Sequence, residues 1–189
     1  KMVRFGAFVS FPAMLGLAFV AKEFVLILLG EKWLDSVPFL QLFCLWGAMG
    51  YLSQLYVNLL MAHSRSEVYL LGMILIGLLQ ILVVWILYPF GVFNMVIGYI
   101  CVYFVSIIFW HYSVKEELPI KLISICKDIV PYLVISIFVF FVVDCVLRNI
   151  SDVYMLLILK ILFSSALYIL ILLLLKSTIL KEAISYLKR

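Results

Sequence analysis

The chain has 189 residues, of which 68% are apolar and only 13% are charged. A soluble domain is about 45 to 50% apolar and about 25% charged, so this composition excludes an ordinary soluble fold. The net charge of +4 is small and scattered among apolar runs, which argues against a nucleic-acid partner. A mean hydropathy of +1.29 indicates a protein whose solvent is lipid.

Six apolar stretches are long enough, or nearly long enough, to cross a membrane as helices of about 20 residues. They predict an all-α integral membrane protein, a polytopic bundle of six transmembrane helices. The predicted spans are about 3–29, 37–62, 68–87, 92–110, 129–146 and 153–175. Four spans therefore form a first region, 1–111, and the final two form a second region, 129–175.

Two segments outside the spans are predicted to lie at the membrane surface. The polar segment 112–128 is predicted to be an interfacial elbow, in which Pro119 opens a short helix. In the tail, 176–189, apolar residues recur at helical spacing against lysines and serine. This pattern predicts an amphipathic helix lying on the cytoplasmic membrane surface.

The distribution of basic residues predicts the orientation, because cytoplasmic loops carry an excess of Lys and Arg. One side of the predicted bundle holds most of these residues, namely Lys1, Arg4, Arg65, Lys115, Lys121, Lys127, Lys176, Lys181, Lys188 and Arg189. The other side holds Lys22, Lys32 and Arg148. Both ends of the chain are therefore predicted to be cytoplasmic.

The sequence offers little for enzyme chemistry, a cofactor or a metal. The four cysteines lie far apart in apolar stretches, without a histidine nearby, and are predicted to be free, buried thiols: Cys44, Cys101, Cys126 and Cys145. His63 and His111 fall at span ends and are predicted to be interfacial. The sequence therefore favours a transporter over an enzyme and predicts neither a cofactor nor a metal site.

The second span carries a stripe of small, polar and aromatic residues. They recur at steps of three and four and therefore share one helix face: Gly47, Tyr51, Gln54, Asn58, Met61 and Arg65. Polar groups inside a membrane must face the bundle interior or a wet cavity, so the stripe predicts a hydrophilic substrate path that ends at Arg65. The alternative is that the amides only bond neighbouring helices while Gly47 allows close packing. Gln80, in the third span, is a weaker candidate for the same path.

Asp144 and Lys160 form a second polar constellation. Lys160 lies about 10 Å below the outer end of the sixth span and Asp144 about 5 Å below the end of the fifth. A lysine side chain can reach across that difference, which predicts an ion pair that fixes helix packing. A proton-coupling role for Asp144 is the alternative. Lys22 and Glu23 are predicted to be an interfacial charge pair.

Several segments together resemble a known family: Phe11–Leu17, Leu28–Trp33, Val37–Pro38, and Asn58–Ala62 with Arg65. They are similar to bacterial lipopolysaccharide, or O-antigen, and exopolysaccharide flippases. These flippases are the polysaccharide-transporter branch of the multidrug/oligosaccharidyl-lipid/polysaccharide exporter superfamily. The resemblance implies that the chain is the C-terminal part of a bundle of twelve to fourteen helices in two six-helix lobes, in the bacterial cytoplasmic (inner) membrane.

The resemblance also implies a function. Such flippases move undecaprenyl-diphosphate-linked oligosaccharide across the bilayer by alternating access, for lipopolysaccharide or exopolysaccharide assembly. Energy would come from a gradient of H⁺ or Na⁺ or from the membrane potential, since the chain contains no phosphate-binding Gly-x-x-x-x-Gly-Lys-Ser motif. Arg65 is the local candidate for contacting the diphosphate.

Three other functions stay open at the level of sequence. A multidrug-type, cation-coupled exporter is the nearest, because it belongs to the same superfamily. An integral-membrane polysaccharide enzyme should show a large outer loop or an intramembrane His or Arg cluster, and neither is seen in the sequence. A membrane scaffold needs only packing faces, which the polar stripe of the second span disfavours.

Overall fold

The computed structural model describes residues 2–115, 121–150 and 152–175, and these ranges fold almost entirely into helices. The α-helices are α1 Met2–Phe19, α2 Ala21–Leu28, α3 Val37–Ala62, α4 Ser66–Leu87, α5 Val92–Ser113, α6 Leu122–Leu147 and α7 Val153–Leu174. Short 3-10 helices cover Glu31–Ser36 and Tyr88–Phe90. The predicted all-α membrane fold is confirmed.

Five of the described helices are long and apolar enough to cross a membrane: α1, α4 with the 3-10 turn that follows it, α5, α6 and α7. The second predicted span, α3, is a helix of 26 residues with the predicted bounds Val37–Ala62. It falls short in hydropathy because Gln41, Gln54 and Asn58 interrupt its apolar sequence. The count of six spans is therefore approximate.

The predicted first span, 3–29, is two helices rather than one. The backbone at Val20 (φ −97°, ψ 10°) departs from helical values and separates α1 from α2. The 3-10 helix after α2 begins beyond Gly30, whose φ of 86° is a conformation that glycine adopts without strain. Composition alone predicted a continuous span because no glycine or proline marks a break near Val20.

The predicted elbow, 112–128, is helical over much of its length. Helix α5 continues to Ser113, and α6 already begins at Leu122, so 122–128 belong to a helix of 26 residues. Lys127 and Asp128 suggested a surface segment, but a helix end can carry charges at the headgroup level. The short helix predicted at Pro119 and the tail 176–189 lie outside the described residues.

The helices pack in a layered order, with α1 at the centre. Helix α1 contacts α3 on one side and α6 on the other. Helix α3 also packs on α5, and α5 packs on α4. Helix α7 packs on α6, and α2 reaches α7. The largest buried side chains come from several of these helices: Tyr56, Phe11, Leu60, Leu172, Val25, Val114 and Val139.

Helix α2 continues α1 through backbone hydrogen bonds across Val20, and the long helices that follow alternate in direction, which gives the bundle two ends. We call the end where α1 begins and α3 ends the basic end, because it carries Arg4, Arg65, Lys115, Lys121 and Lys127. The opposite end, the far end, carries Lys22, Lys32 and Arg148. At the basic end an ion pair between Arg4 Nε and Asp128 Oδ1 (2.8 Å) joins α1 to α6.

Helix α4 lies at one margin of the bundle and exposes a broad apolar surface. Its one buried residue is Gly72, where an added Cβ would lie 2.6 Å from the ring of Trp110. The missing side chain therefore allows α4 to approach α5 closely. Gly77, on the same helix, has nothing within 4 Å of such a Cβ. The rest of the α4 surface suits contact with lipid.

Candidate functional site

The polar stripe on α3 is exposed toward the basic end of the bundle. Gln54 Nε2 donates to Asn58 Oδ1 at 2.9 Å, and both side chains are exposed on the surface of the described helices. Their bond uses one donor and one acceptor, so both amide hydrogens of Asn58 and the oxygen of Gln54 remain available to a ligand or water. An exposed amide pair is costly against hydrocarbon, because lipid offers no hydrogen bonds.

The stripe is packed, rather than exposed, toward the far end. Tyr51 lies over Gly6 of α1, where a Cβ would overlap its ring, and its hydroxyl is buried without a hydrogen-bond partner among the described residues. A Cβ at Gly47 would lie 3.1 Å from the sulfur of Met14. The packing interpretation therefore applies to Gly47, whereas Gln54 and Asn58 bond each other and face outward.

Arg65 and Gln80 lie along the groove between α4 and α5. Arg65 Nη1 donates to the carbonyl oxygen of Ser113 at 3.5 Å. Arg65 also lines a cavity of about 440 Å³ with Lys115 and Tyr112 at the basic end, and this cavity continues along the apolar sides of α4 and α5. Gln80 lines another cavity, of about 560 Å³, nearer the far end. The predicted path residues thus lie in three places: on α3, in the cavity at the basic end, and in the cavity nearer the far end.

A buried ion-pair cluster lies in the far half of the bundle. Lys160 Nζ donates to Glu23 Oε1 at 2.8 Å, and each of these side chains is only 9% exposed. The same ammonium lies 3.6 Å from Asp144 Oδ1, whose side chain is 63% exposed. It also sits 4.4 Å above the ring of Phe19. The structure therefore brings the predicted pair Asp144 and Lys160 together and adds a closer, buried partner from α2.

The interpretation of Glu23 as an interfacial residue paired with Lys22 is wrong, because Glu23 is buried against α7 while Lys22 is exposed. A signal was present in the sequence. Glu23 lies five residues before the end of α2, or about 8 Å deep, which is close to the depth predicted for Lys160. Opposite charges at equal depth in an apolar bundle favour a pair, and comparing depths would have identified it.

His111 is buried among the helices, in the last turn of α5. Its Nδ1 lies 3.1 Å from the hydroxyl of Tyr56, which is itself in the core. This contact joins α3 to α5 near the basic end. Of the four cysteines, Cys44 is buried as predicted, whereas the other three are exposed on the helix surfaces. Among the described residues no group of three or more His, Cys, Asp or Glu could hold a metal.

Comparison with known proteins bears out the resemblance over part of the chain. Residues 1–38 match the family model described as "Polysaccharide biosynthesis protein". An uncharacterized membrane protein in the cps region of Klebsiella pneumoniae is 45% identical over 67 residues, which is 35% of this chain and 14% of that protein. The matched range 1–38 contains the segments Phe11–Leu17 and Leu28–Trp33 that suggested the family.

Two further relatives have names that state a process. The lipopolysaccharide biosynthesis protein WzxC of Escherichia coli K12 is 37% identical over 68 residues, 36% of this chain and 14% of that protein. The teichuronic acid biosynthesis protein TuaB of Bacillus subtilis 168 is 34% identical over 67 residues, 35% of this chain and 14% of that protein. The alignments thus span about one seventh of each relative. No solved structure matches the chain.

Proposed function

We propose that this chain is part of a polysaccharide flippase and that α3 lines the path of a lipid-linked oligosaccharide. The observation that carries the proposal is the exposed amide pair of Gln54 and Asn58, eight and four residues before the end of α3, in an apolar bundle. Exposed amides at this depth require either water or a polar partner. A sugar chain supplies many hydroxyl groups, each able to donate to and accept from an amide.

The relatives support the polysaccharide as the class of cargo. Two of them are named for the biosynthesis of lipopolysaccharide and teichuronic acid, which are different polymers made in different organisms. The matched family is described in the same broad terms. A path of amides suits such variety, because it recognises hydroxyl groups without requiring one particular sugar.

The groove at the basic end suits the anionic and lipid parts of the same cargo. Arg65 and Lys115 line its polar end, and the apolar faces of α4 and α5 line the remainder. A guanidinium and an ammonium attract a diphosphate, and Arg can bind phosphate oxygens through two parallel hydrogen bonds. In this proposal the diphosphate is held by Arg65 and Lys115 while the polyprenyl chain stays in apolar surroundings.

This proposal is tested by expressing the full-length protein in bacterial cells whose own copy of the protein has been deleted. Surface polysaccharide and the sidedness of the lipid-linked precursor are scored for Asn58→Leu, Gln54→Leu and Arg65→Ala. Met73→Ala, on the exposed apolar surface of α4, is the matched control, and every variant is checked for membrane insertion. We expect the precursor to accumulate on the cytoplasmic side in the three path variants and to be exported normally in the control.

Two results would contradict the proposal. Normal surface polysaccharide in cells without the protein would show that polysaccharide is not its cargo. Export of an amphipathic cation that ceases in the Asn58→Leu variant would then favour the multidrug branch instead. Full activity of all three path variants would leave polysaccharide transport in place but remove α3 and Arg65 from the path.

A further inference from the structure

The cavity beside Gln80 contains a polar group that no described residue satisfies. Gln80 is half-buried on α4, seven residues before the helix ends at Leu87, which places it about 10 Å from the far end. Within the part of the chain that the structure describes, no side chain or backbone group forms a hydrogen bond with its amide. An amide has two donor hydrogens and an acceptor oxygen, and lipid satisfies none of them. The amide therefore requires water or a polar ligand in the cavity.

Aromatic rings line the same cavity. Trp85 of α4, Tyr88 of the 3-10 turn after it and Tyr99 of α5 contribute to its wall, and its volume is about 560 Å³. Gly77 also lines the cavity and leaves it open, because nothing lies within 4 Å of a Cβ added there. Sites for small ligands have volumes of about 300 to 1,000 Å³ and combine apolar and aromatic walls with a few polar groups. The cavity has both properties.

A belt of interfacial aromatic residues accounts for only part of this wall. Trp85 is 75% exposed and Tyr88 is 72% exposed, close to the end of α4, as expected of anchors at the headgroup level. Tyr99 instead lies seven residues after α5 begins at Val92, or about 10 Å deep, which is the depth of Gln80. Anchoring at the headgroups does not explain a phenol and an amide that share one cavity at this depth.

An aromatic bridge joins the cavity to the amide pair of α3. Tyr103 follows Tyr99 by one turn on the same face of α5, and its ring centre lies 5.5 Å from that of Trp46 on α3. A Cβ added at Gly50 would lie 3.9 Å from the Tyr103 hydroxyl oxygen. Gly50 in turn precedes Gln54 by one turn on the same face of α3. Polar and aromatic side chains therefore continue from α3, across α5, to the cavity on α4.

The lining of the cavity distinguishes between classes of ligand. None of the described residues that line it is charged, so it does not attract a diphosphate or another anion. A quaternary ammonium could contact the rings, but it could not form a hydrogen bond with the amide of Gln80. A sugar ring offers hydroxyl groups to the amide, and its C–H groups pack against the electron-rich face of an aromatic ring. A sugar therefore uses both kinds of wall.

We propose that this cavity is a second sugar-binding site, in which a sugar ring of the cargo packs on Tyr99 and forms hydrogen bonds with Gln80. The inference rests on the proposed function, because it takes the cargo to be a polysaccharide. Gln54 and Asn58 lie in the basic half of the bundle, and the cavity lies in the far half. A glycan that leaves the amide pair of α3 thus meets the cavity before it reaches the far end, which the charge distribution predicts to face outward.

Equilibrium binding to the purified full-length protein tests the site. The probe is the oligosaccharide that mild acid releases from the surface polysaccharide of the bacterium that makes the protein, labelled with a fluorophore, and fluorescence anisotropy gives its Kd. Gln80→Leu and Tyr99→Leu should each raise the Kd about tenfold, because each removes a contact with the sugar. Tyr99→Phe keeps the ring and should stay within about threefold of the wild type. Trp33→Leu is the control, an exposed aromatic of the same end outside the cavity, and should leave the Kd unchanged.

Three results would overturn the site. The first is an oligosaccharide Kd that neither Gln80→Leu nor Tyr99→Leu raises, or no binding to the wild type at all. The second is an equal loss of affinity in Trp33→Leu, which would assign the effect to interfacial aromatic residues in general. The third is binding of tetraphenylphosphonium, rather than the oligosaccharide, that depends on Tyr99, which would make the cavity a site for amphipathic cations.

The binding assay and the cellular assay separate this inference from the proposed function. Loss of surface polysaccharide in cells without the protein, together with an unchanged Kd in Gln80→Leu, contradicts the cavity alone. Normal surface polysaccharide in those cells contradicts the proposed function, whatever the Kd values of the variants are.

Discussion

The hydroxyl of Tyr168 donates a hydrogen bond to the carbonyl oxygen of Phe8 at 3.1 Å. In a regular helix that oxygen accepts from the residue four positions later, which here is Pro12 and has no N–H. Tyr168, on α7, therefore satisfies a backbone group that the proline of α1 leaves without an intrahelical donor. The bond joins α1 to α7 in an apolar region where water cannot replace it.

This relationship predicts a dependence between two mutations. Tyr168→Phe should lower the unfolding free energy by about 1 kcal/mol, because the Phe8 carbonyl oxygen loses its donor. In a Pro12→Ala background the cost of Tyr168→Phe should shrink, since residue 12 then has an N–H that can donate to the same oxygen. Unfolding of the full-length protein in mixed micelles, as a four-membered mutant cycle, measures the coupling. Equal costs in both backgrounds would contradict the interpretation.

Close contact between α4 and α5 depends on Gly72. Gly72→Ala should destabilise the protein by about 1 to 3 kcal/mol, because its Cβ would lie within 3 Å of the Phe109 and Trp110 rings. Gly77→Ala is the matched control on the same helix, has open space, and should change stability by no more than about 1 kcal/mol. Thermal unfolding in detergent compares the two. Equal effects would show that backbone flexibility, rather than contact, decides the outcome.

The buried ion pair predicts an order among charge-removing variants. Lys160→Met leaves Glu23 buried without its counter-ion and should cost about 3 to 5 kcal/mol. Adding Glu23→Gln to Lys160→Met should recover much of that loss, because no uncompensated charge remains. Asp144→Asn should cost less than about 1 kcal/mol, since Asp144 is largely exposed. The same unfolding assay ranks the stability of these variants. A double variant less stable than Lys160→Met alone would refute the pairing.

The sequence predicted the helices well where hydrophobicity determines them. The bounds of α3, the turn after Ala62 and the turn ending at Gly91 agree with the structure, because apolar length and breaker residues set them directly. The division at Val20 and the extension of α6 to Leu122 were missed. Glu23 of α2 meets Lys160 of α7, a contact that local composition does not contain, and Lys127 and Asp128 suggested a surface segment where α6 is already helical.

The candidate site could be predicted only in part, for a related reason. Helical spacing placed Gln54 and Asn58 on one face, and their bond over one turn follows from that spacing. Spacing did not reveal which neighbour covers each part of the face. Helices α1 and α5 both pack on α3. Tyr51 therefore packs on Gly6 of α1, and Arg65 contacts Ser113 of α5 in the α4/α5 groove.

The measurement that tests the central claim most directly is the water accessibility of the α3 face. Gln54→Cys and Asn58→Cys are made in the full-length protein with its native cysteines replaced by alanine, and are labelled in membranes with a water-soluble maleimide. Ile74→Cys is the control: Ile74 is 50% exposed and, like Gln54, lies eight residues, or about 12 Å, from the basic end of its helix.

A maleimide reacts with the thiolate, which forms only where water reaches the sulfur. A water-filled path along α3 predicts fast labelling at positions 54 and 58 and slow labelling at position 74, which faces lipid. Labelling at 54 and 58 that is as slow as at 74 would contradict the proposal that α3 lines a hydrophilic path.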